Sequence, residues 1–189
     1  CGLVPYLGFM EALTTGALSI KQNIHLVKNV MLPIELIPVR AVIVGMASQF
    51  VSIGLVLVLL AADRSISLNI ALLPLVVVLQ VMWLTGLTWV LSSITVALPD
   101  ITYFVNLFVF MLMFLSPIGF KPEMVPQGFG WVIYLNPIYY MTQMYRATMI
   151  SGTALTAPVV LVYVVMCLVT FALGSAFFER FRAVLTDYE

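Results

Sequence analysis

Chemistry in this chain would have to come from very few groups. Its 189 residues include one histidine, His25, two cysteines and eight acidic side chains. A serine nucleophile would need His25 as its base, and His25 lies in a polar loop without a persuasive partner. One imidazole cannot build a His-Glu-x-x-His site or any multi-histidine metal centre. Paired carboxylates are also missing, because Asp63 and Asp100 close different apolar segments and Glu11 has no evident twin. No Gly-x-x-x-x-Gly-Lys-[Ser/Thr] run is present to cradle a nucleotide phosphate. Cys1 is terminal and Cys167 sits inside an apolar run, which argues against a disulfide framework and for Cys167 as a small packing residue. The inventory points away from catalysis and from a cofactor bound by this chain.

What remains is the chemistry of contact. Lys21 to Arg40 is the longest polar interruption before the C-terminal half. Within it Ile24, Val27 and Met31 recur at spacings of three and four, with Lys21, His25 and Lys28 around them. Pro33 and Pro38 follow and are expected to break the helix twice. Such a piece suits an interfacial anchor or a docking element for a soluble partner. Glu11 interrupts an apolar run. A carboxylate at the centre of a span costs about 2.5–3.5 kcal/mol. It therefore either faces a path or a subunit interface, or sits near the membrane boundary, solvated or paired with Thr14 or Thr15. Thr85, Thr88, Ser92, Ser93 and Thr95 form a second polar stripe. At 100° per residue Tyr103, Leu107, Phe110 and Phe114 share a stripe, with Phe104 and Phe108 beside it. Aromatic stripes serve packing or lipid contact, and they also stack on sugar faces.

The elements that must position these groups are apolar helices. The composition is 63% hydrophobic and 8% charged, where soluble domains carry about 25% charged residues. Mean hydropathy is +1.15. Runs long enough to cross a bilayer recur, and the alternating segments of about 10 residues that mark a transmembrane barrel do not. The expectation is an all-α, polytopic helical membrane protein with a single domain over residues 1–189. Spans are expected near 3–20, 39–62, 68–98, 101–115 and 158–178, with Pro74 kinking the third near its start. A loop at 21–38 joins the first two. The stretch 116–157 is a sequel that a simple span would not need. Ser116-Pro117, Glu123, Asn136-Pro137 and Tyr140 mark it as short re-entrant or interfacial helices, forming a gate or vestibule. Neutral net charge gives no sign of a nucleic-acid partner.

Five crossings put Lys21, Lys28, Arg40, Arg180 and Arg182 on one side, and Arg64, Lys121 and Arg146 on the other. The richer side is expected to be cytoplasmic, with the C-terminus there. That arrangement places the first residue outside, and a preceding span would bring the intact protein to six.

Three segments together resemble ABC-2 type permeases. Glu11-Ala-Leu followed by Leu26-Val-Lys-Asn-Val-Met-Leu-Pro-Ile-Glu-Leu-Ile-Pro38 is similar to their second span and cytoplasmic loop. Phe114-Leu-Ser-Pro-Ile-Gly-Phe-Lys-Pro-Glu-Met-Val-Pro126 is similar to the segment after their fifth span. Tyr134-Leu-Asn-Pro-Ile-Tyr139 through Tyr145-Arg146 is similar to the approach to their last span. The resemblance is greatest to the branch that exports O-antigen, capsule or teichoic acid. The family's N-terminal interface helix and first span have no counterpart here, and Leu98-Pro99 stand where relatives often carry a basic residue before Asp100.

The resemblance implies a non-catalytic permease in the bacterial cytoplasmic membrane, working as a homodimer with a separate ABC ATPase that binds ATP and Mg. Lys21, His25, Lys28, Asn29 and Glu35 would form the ATPase-coupling loop. Glu11, Thr85, Thr88, Ser92, Tyr103, Phe110 and Phe114 would line the path of a lipid-linked polysaccharide. Ser116, Pro117, Glu123, Asn136, Pro137 and Tyr140 would form the outer-face gate. An ABC-2 exporter of a drug or lipid-sized substrate is the alternative with the same fold and partner.

Overall fold

The computed structural model describes residues 2–23, 33–118 and 130–187. These residues form α1 (Leu3–Gln22), α2 (Leu36–Gly45), α3 (Ala47–Ala62), a 3-10 turn (Leu68–Leu72), α4 (Leu73–Ala97), α5 (Ile101–Leu115), α6 (Gly130–Leu135), α7 (Pro137–Met149) and α8 (Ala157–Asp187). A single isolated bridge, Ile66 to Ile150, is the β-type contact among the described residues. The chain is a multi-pass membrane protein.

Among the described residues four helices are long and apolar enough to cross a bilayer: α1, the joined α2–α3 (Leu36–Ala62), Leu68–Ala97, and α8 as far as Arg182. The expected fifth, α5, has 15 residues, about 22 Å of helix against a hydrocarbon thickness of about 30 Å. It is bounded by Pro99-Asp100 at one end. At the other, Ser116 is extended with ψ 145°, as the ring of Pro117 demands of the residue before it. The prolines elsewhere act more gently than their spacing predicts. Pro74 opens α4 rather than kinking it, since its missing N–H falls among donors that have no helical partner. Pro38 likewise lies in the first turn of α2.

α1 is the hub, touching α2, α3, α4, α5 and α7. Apolar helices gain little from leaving lipid for one another, so close backbone approach and hydrogen bonds hold them together. Small residues permit that approach. A Cβ on Gly45 would lie 2.6 Å from Ala12 Cα, and one on Gly16 would lie 2.9 Å from Thr88 Cβ. The longest pairing joins α4 to α8. They cross at Gly86 and Gly174, where a Cβ on Gly174 would lie 2.7 Å from Gly86 Cα. Phe9 stacks on Trp83 with ring centroids 5.0 Å apart, tying α1 to α4 beside this crossing.

Candidate functional site

The described residues of the 116–157 stretch, 116–118 and 130–157, pack onto the helix bundle. Asn136 caps α7 by accepting from Ile138 N at 3.0 Å, and its Nδ2 donates to Ser116 Oγ at 2.8 Å. Asn before Pro at the first helical position is a strong start signal. Pro137 borders the apolar cavity that Trp83, Leu87 and Leu91 of α4 also line. At the other end of α7, Met149 O accepts from Ser67 N at 3.2 Å, and Ser151 N donates to Ser65 O at 3.0 Å. α7 thus begins beside this cavity and ends at the turn between α3 and α4. Tyr140 Oη donates to Tyr134 O at 2.8 Å, joining α7 to α6. Arg146 donates to Ile118 O at 2.8 Å and holds the chain just after Pro117. Ser116, Asn136, Pro137 and Tyr140 are therefore brought together at the start of α7, with Pro117 beside them. Beside them a cavity of about 310 Å³ lies between Tyr134, Tyr139, Gln143, Leu155 and Val159.

A buried polar cluster fixes α7 in place. Gln49 Nε2 donates to Gln80 Oε1 and to Tyr145 Oη, both at 2.8 Å. Gln80 Nε2 donates to Gln49 Oε1 at 3.0 Å and to Pro5 O at 3.2 Å, and the Tyr145 hydroxyl donates to Gln80. Four elements, α1, α3, α4 and α7, meet at these three fully buried side chains. Gly8 makes room, since a Cβ there would lie 2.7 Å from Gln49 Cβ. The sequence signal for this cluster is a lone glutamine in each of two apolar helices. Gln49 stands out as helix-to-helix glue, whereas Gln80 and Tyr145 take on meaning only when α7 brings them together.

The candidate path residues divide. Thr85, Thr88 and Ser92 are buried in helix contacts, not on an open surface. Thr88 packs on Gly16, and its hydroxyl returns to Thr85 O at 3.1 Å; Ser92 returns to Trp89 O at 3.3 Å. A hydroxyl can satisfy itself on its own helix, and then serves as a compact packing group. Glu11, Tyr103, Phe110 and Phe114 are exposed. Leu3, Leu7, Glu11 and Thr15 form an uncovered stripe on α1. The bond from Ser48 to Glu11 sets α3 on one flank of it, and the bond from Tyr6 to Val109 O sets α5 on the other. Thr14 and Thr15 donate to the Glu11 backbone carbonyl, not to its carboxylate. Phe110 and Phe114 meet edge to face at 5.3 Å. Phe104, Leu107 and Phe108 instead border the apolar cavity of about 840 Å³ between α4, α5 and α8.

Residues 1–150 match the family described as ABC-2 type transporter. The chain belongs to that family. An O-antigen export system permease protein RfbA of Klebsiella pneumoniae is 26% identical over 154 residues, covering 80% of this chain and 60% of its own length. A second RfbA of that organism is 23% identical over 184 residues, covering 96% of this chain and 70% of its own length. The RfbA of Myxococcus xanthus is 23% identical over 184 residues, 96% of this chain and 71% of the relative. The chain thus spans about 60 to 71% of the length of these curated relatives.

Of the residues expected in an ATPase-coupling loop of this ABC-2 chain, His25, Lys28 and Asn29 lie outside the described residues, as does Glu123 of the expected gate. Lys21 is exposed in the last turn of α1. Glu35 has a role within the chain: its carboxylate pairs with Arg182 of α8, and its backbone carbonyl accepts from Trp89 Nε1 at 3.1 Å. The exit of the loop is thereby tied to α4 and α8. Among the described residues no group of three or more His, Cys, Asp or Glu could hold a metal ion.

Proposed function

We propose that this chain is the membrane-spanning permease subunit of an ATP-driven exporter that moves lipid-linked polysaccharide out across the bacterial cytoplasmic membrane. The cargo is of the O-antigen, capsule or teichoic acid type. The observation that carries the reading is that three relatives bearing the O-antigen export permease name align over 80 to 96% of the chain. The subunit is non-catalytic and binds no cofactor. A separate ABC ATPase holds ATP and Mg and docks on the 21–38 loop, and a second copy of the chain completes the path. The balance of Lys and Arg puts that loop and the C-terminus in the cytoplasm, and hence the α6–α7 hairpin toward the outer face.

Re-entrant backbone at membrane depth must be covered by protein or border water. A gate beside an aqueous path meets that condition. The exposed stripe of Tyr103, Phe110 and Phe114 supports a sliding track, because aromatic rings stack on the C–H faces of sugars. The test is deletion of the gene: undecorated cells that accumulate a lipid-linked glycan inside are expected, and unchanged surface glycan would sink the reading. Alanine at Tyr103, Phe110 and Phe114 together should slow export by about tenfold, on the order of 1.4 kcal/mol, at near-normal protein level. Equal loss of protein and of export would reduce the stripe to packing.

A further inference from the structure

Tyr139, Gln143 and Ala147 follow one another at spacings of four on α7, and Thr156 and Val160 do the same at the start of α8. Such spacing keeps each set on one helix face. Both sets border the cavity of about 310 Å³ at the junction of the two helices, and Tyr134 of α6 borders it as well. Tyr139, Met144 and Ala147 are buried, whereas Tyr134, Ala154 and Thr156 are exposed. The cavity therefore has a buried floor and an open rim. The connection from α7 to α8 is pinned beside it. Ile150 bridges to Ile66, Ser151 N donates to Ser65 O at 3.0 Å, and Thr156 O accepts from Val159 N at 3.1 Å where α8 begins. Backbone contacts thus fix the walls.

The polar atoms at this cavity are not consumed by the fold. Thr142 and Thr148, on the same helix, return their hydroxyls to Tyr139 O and Met144 O, both at 2.9 Å. The Gln143 amide, the Thr156 hydroxyl and the Tyr134 and Tyr139 hydroxyls form no hydrogen bond among the described residues, and none of them is sealed from solvent. The amide and each hydroxyl can both donate and accept. Tyr134 and Tyr139 meet edge to face with centroids 5.5 Å apart, and Tyr139 and Tyr140 do so at 5.1 Å. Aromatic surface beside free donors and acceptors suits a sugar ring, which has apolar C–H faces and a rim of hydroxyls. Among the described residues that border the cavity none is charged. That argues against a lipid phosphate, whose usual partners are Arg and Lys. The volume falls at the lower end of small-ligand sites, which run from roughly 300 to 1,000 Å³.

We propose that this cavity is a binding site for an uncharged sugar residue of the exported glycan, met once the chain has crossed. Gln143 bonds the sugar hydroxyls, and Tyr134 and Tyr139 supply ring surface. At 1.5 Å per residue Thr156 stands about 39 Å along α8 from Arg182. That exceeds the hydrocarbon thickness of about 30 Å, so the cavity and the Glu35–Arg182 pair lie at opposite membrane boundaries. That the cavity's boundary is the outer one, and that the sugar belongs to the cargo, rest on the exporter reading. The unengaged amide beside the tyrosine rings does not.

The test uses the permease assembled with its ATPase in nanodiscs of phosphatidylethanolamine and phosphatidylglycerol. Cys1 and Cys167 are changed to alanine, and single cysteines are introduced as Ala154→Cys at the rim and Ser151→Cys outside the cavity. Both positions are exposed, so neither change should disturb folding. The probe is lipid-free oligosaccharide released by mild acid from the host's own surface glycan. It should slow labelling of Ala154→Cys by a water-soluble maleimide, about threefold at twice the half-protecting concentration, and leave Ser151→Cys unchanged. Adding Gln143→Leu should raise the half-protecting concentration about tenfold, because the amide's donors and acceptor are lost. Equal rates at Ala154→Cys with and without millimolar oligosaccharide overturn the proposal, and so does protection that Gln143→Leu leaves unchanged. Labelling of Ala154→Cys in detergent but not in nanodiscs would mean that membrane lipid fills the cavity, which also overturns it. A failed exporter reading shows separately, as unchanged surface glycan in the deletion strain.

Discussion

Replacing Gly174 with leucine should leave almost no correctly folded protein, and Gly86→Leu should do the same. At this crossing of α4 and α8 the obstacle is backbone on both sides. A Cβ on Gly86 would lie 2.7 Å from the Thr170 carbonyl carbon and 2.8 Å from Phe171 Cα; one on Gly174 would lie 2.8 Å from the Gly86 carbonyl carbon. Overpacking that side chains can relieve costs about 1–3 kcal/mol. No side chain can swing aside here, so the two helices must separate and lose the contacts that hold them in lipid. Alanine at either site should fall within that range and leucine above it. Thermal denaturation in detergent, followed by size-exclusion chromatography, reads the difference. Gly54 is the control, because a Cβ there meets nothing within 4 Å. Gly54→Leu should stay within about 0.5 kcal/mol of the parent. An equal loss at Gly54 would mean that added bulk, not the crossing, is responsible.

The second large effect is expected at the Gln49–Gln80–Tyr145 cluster. Gln80 takes part in four hydrogen bonds, two with Gln49, one with Pro5 O and one with Tyr145. Hydrogen bonds between membrane helices average about 0.6 kcal/mol each, so Gln80→Leu should cost about 2 kcal/mol. Tyr145→Phe removes fewer bonds and should cost about 1 kcal/mol. The triple change Gln49→Leu, Gln80→Leu and Tyr145→Phe should recover part of the loss, since removing every partner leaves no buried group unsatisfied. If the triple variant is no more stable than Gln80→Leu, side-chain shape and not hydrogen bonding sets the cost. Loosening the cluster frees α7 from α3 and α4, so limited proteolysis in the 150–156 loop should also quicken.

The two effects differ in kind. The glycine crossing decides whether the bundle forms, whereas the glutamine–tyrosine cluster decides how firmly the hairpin is seated in it. A half-seated hairpin would compromise a gate while leaving insertion intact. The Glu35–Arg182 pair is partly exposed, with side-chain exposures of 32% and 52%, and such pairs add only about 0–1 kcal/mol. Its importance is geometric: it connects the loop that follows α1 to the end of the last helix.

Helix class and membrane character were legible from composition and run length alone, because a bilayer leaves long apolar helices few alternatives. The special character of 116–146 was also readable, since Ser-Pro and Asn-Pro junctions dictate local backbone wherever they fall. The placement of α7 was not. It depends on Asn136 meeting Ser116 and on Met149 meeting Ser67, contacts between residues far apart in the chain. The surroundings of the polar groups were not legible for a related reason. Thr88 and Glu11 are both polar residues in apolar helices, yet Thr88 lies under Gly16 and Glu11 faces outward beside Ser48. A sequence carries the period of a face, but which face is covered follows from the neighbour that arrives. The chemistry available to this chain, with one histidine and no phosphate loop, was thus set by its residues. Only tertiary contact separated the polar groups that hold the bundle together from those left open along α1, α3 and α5.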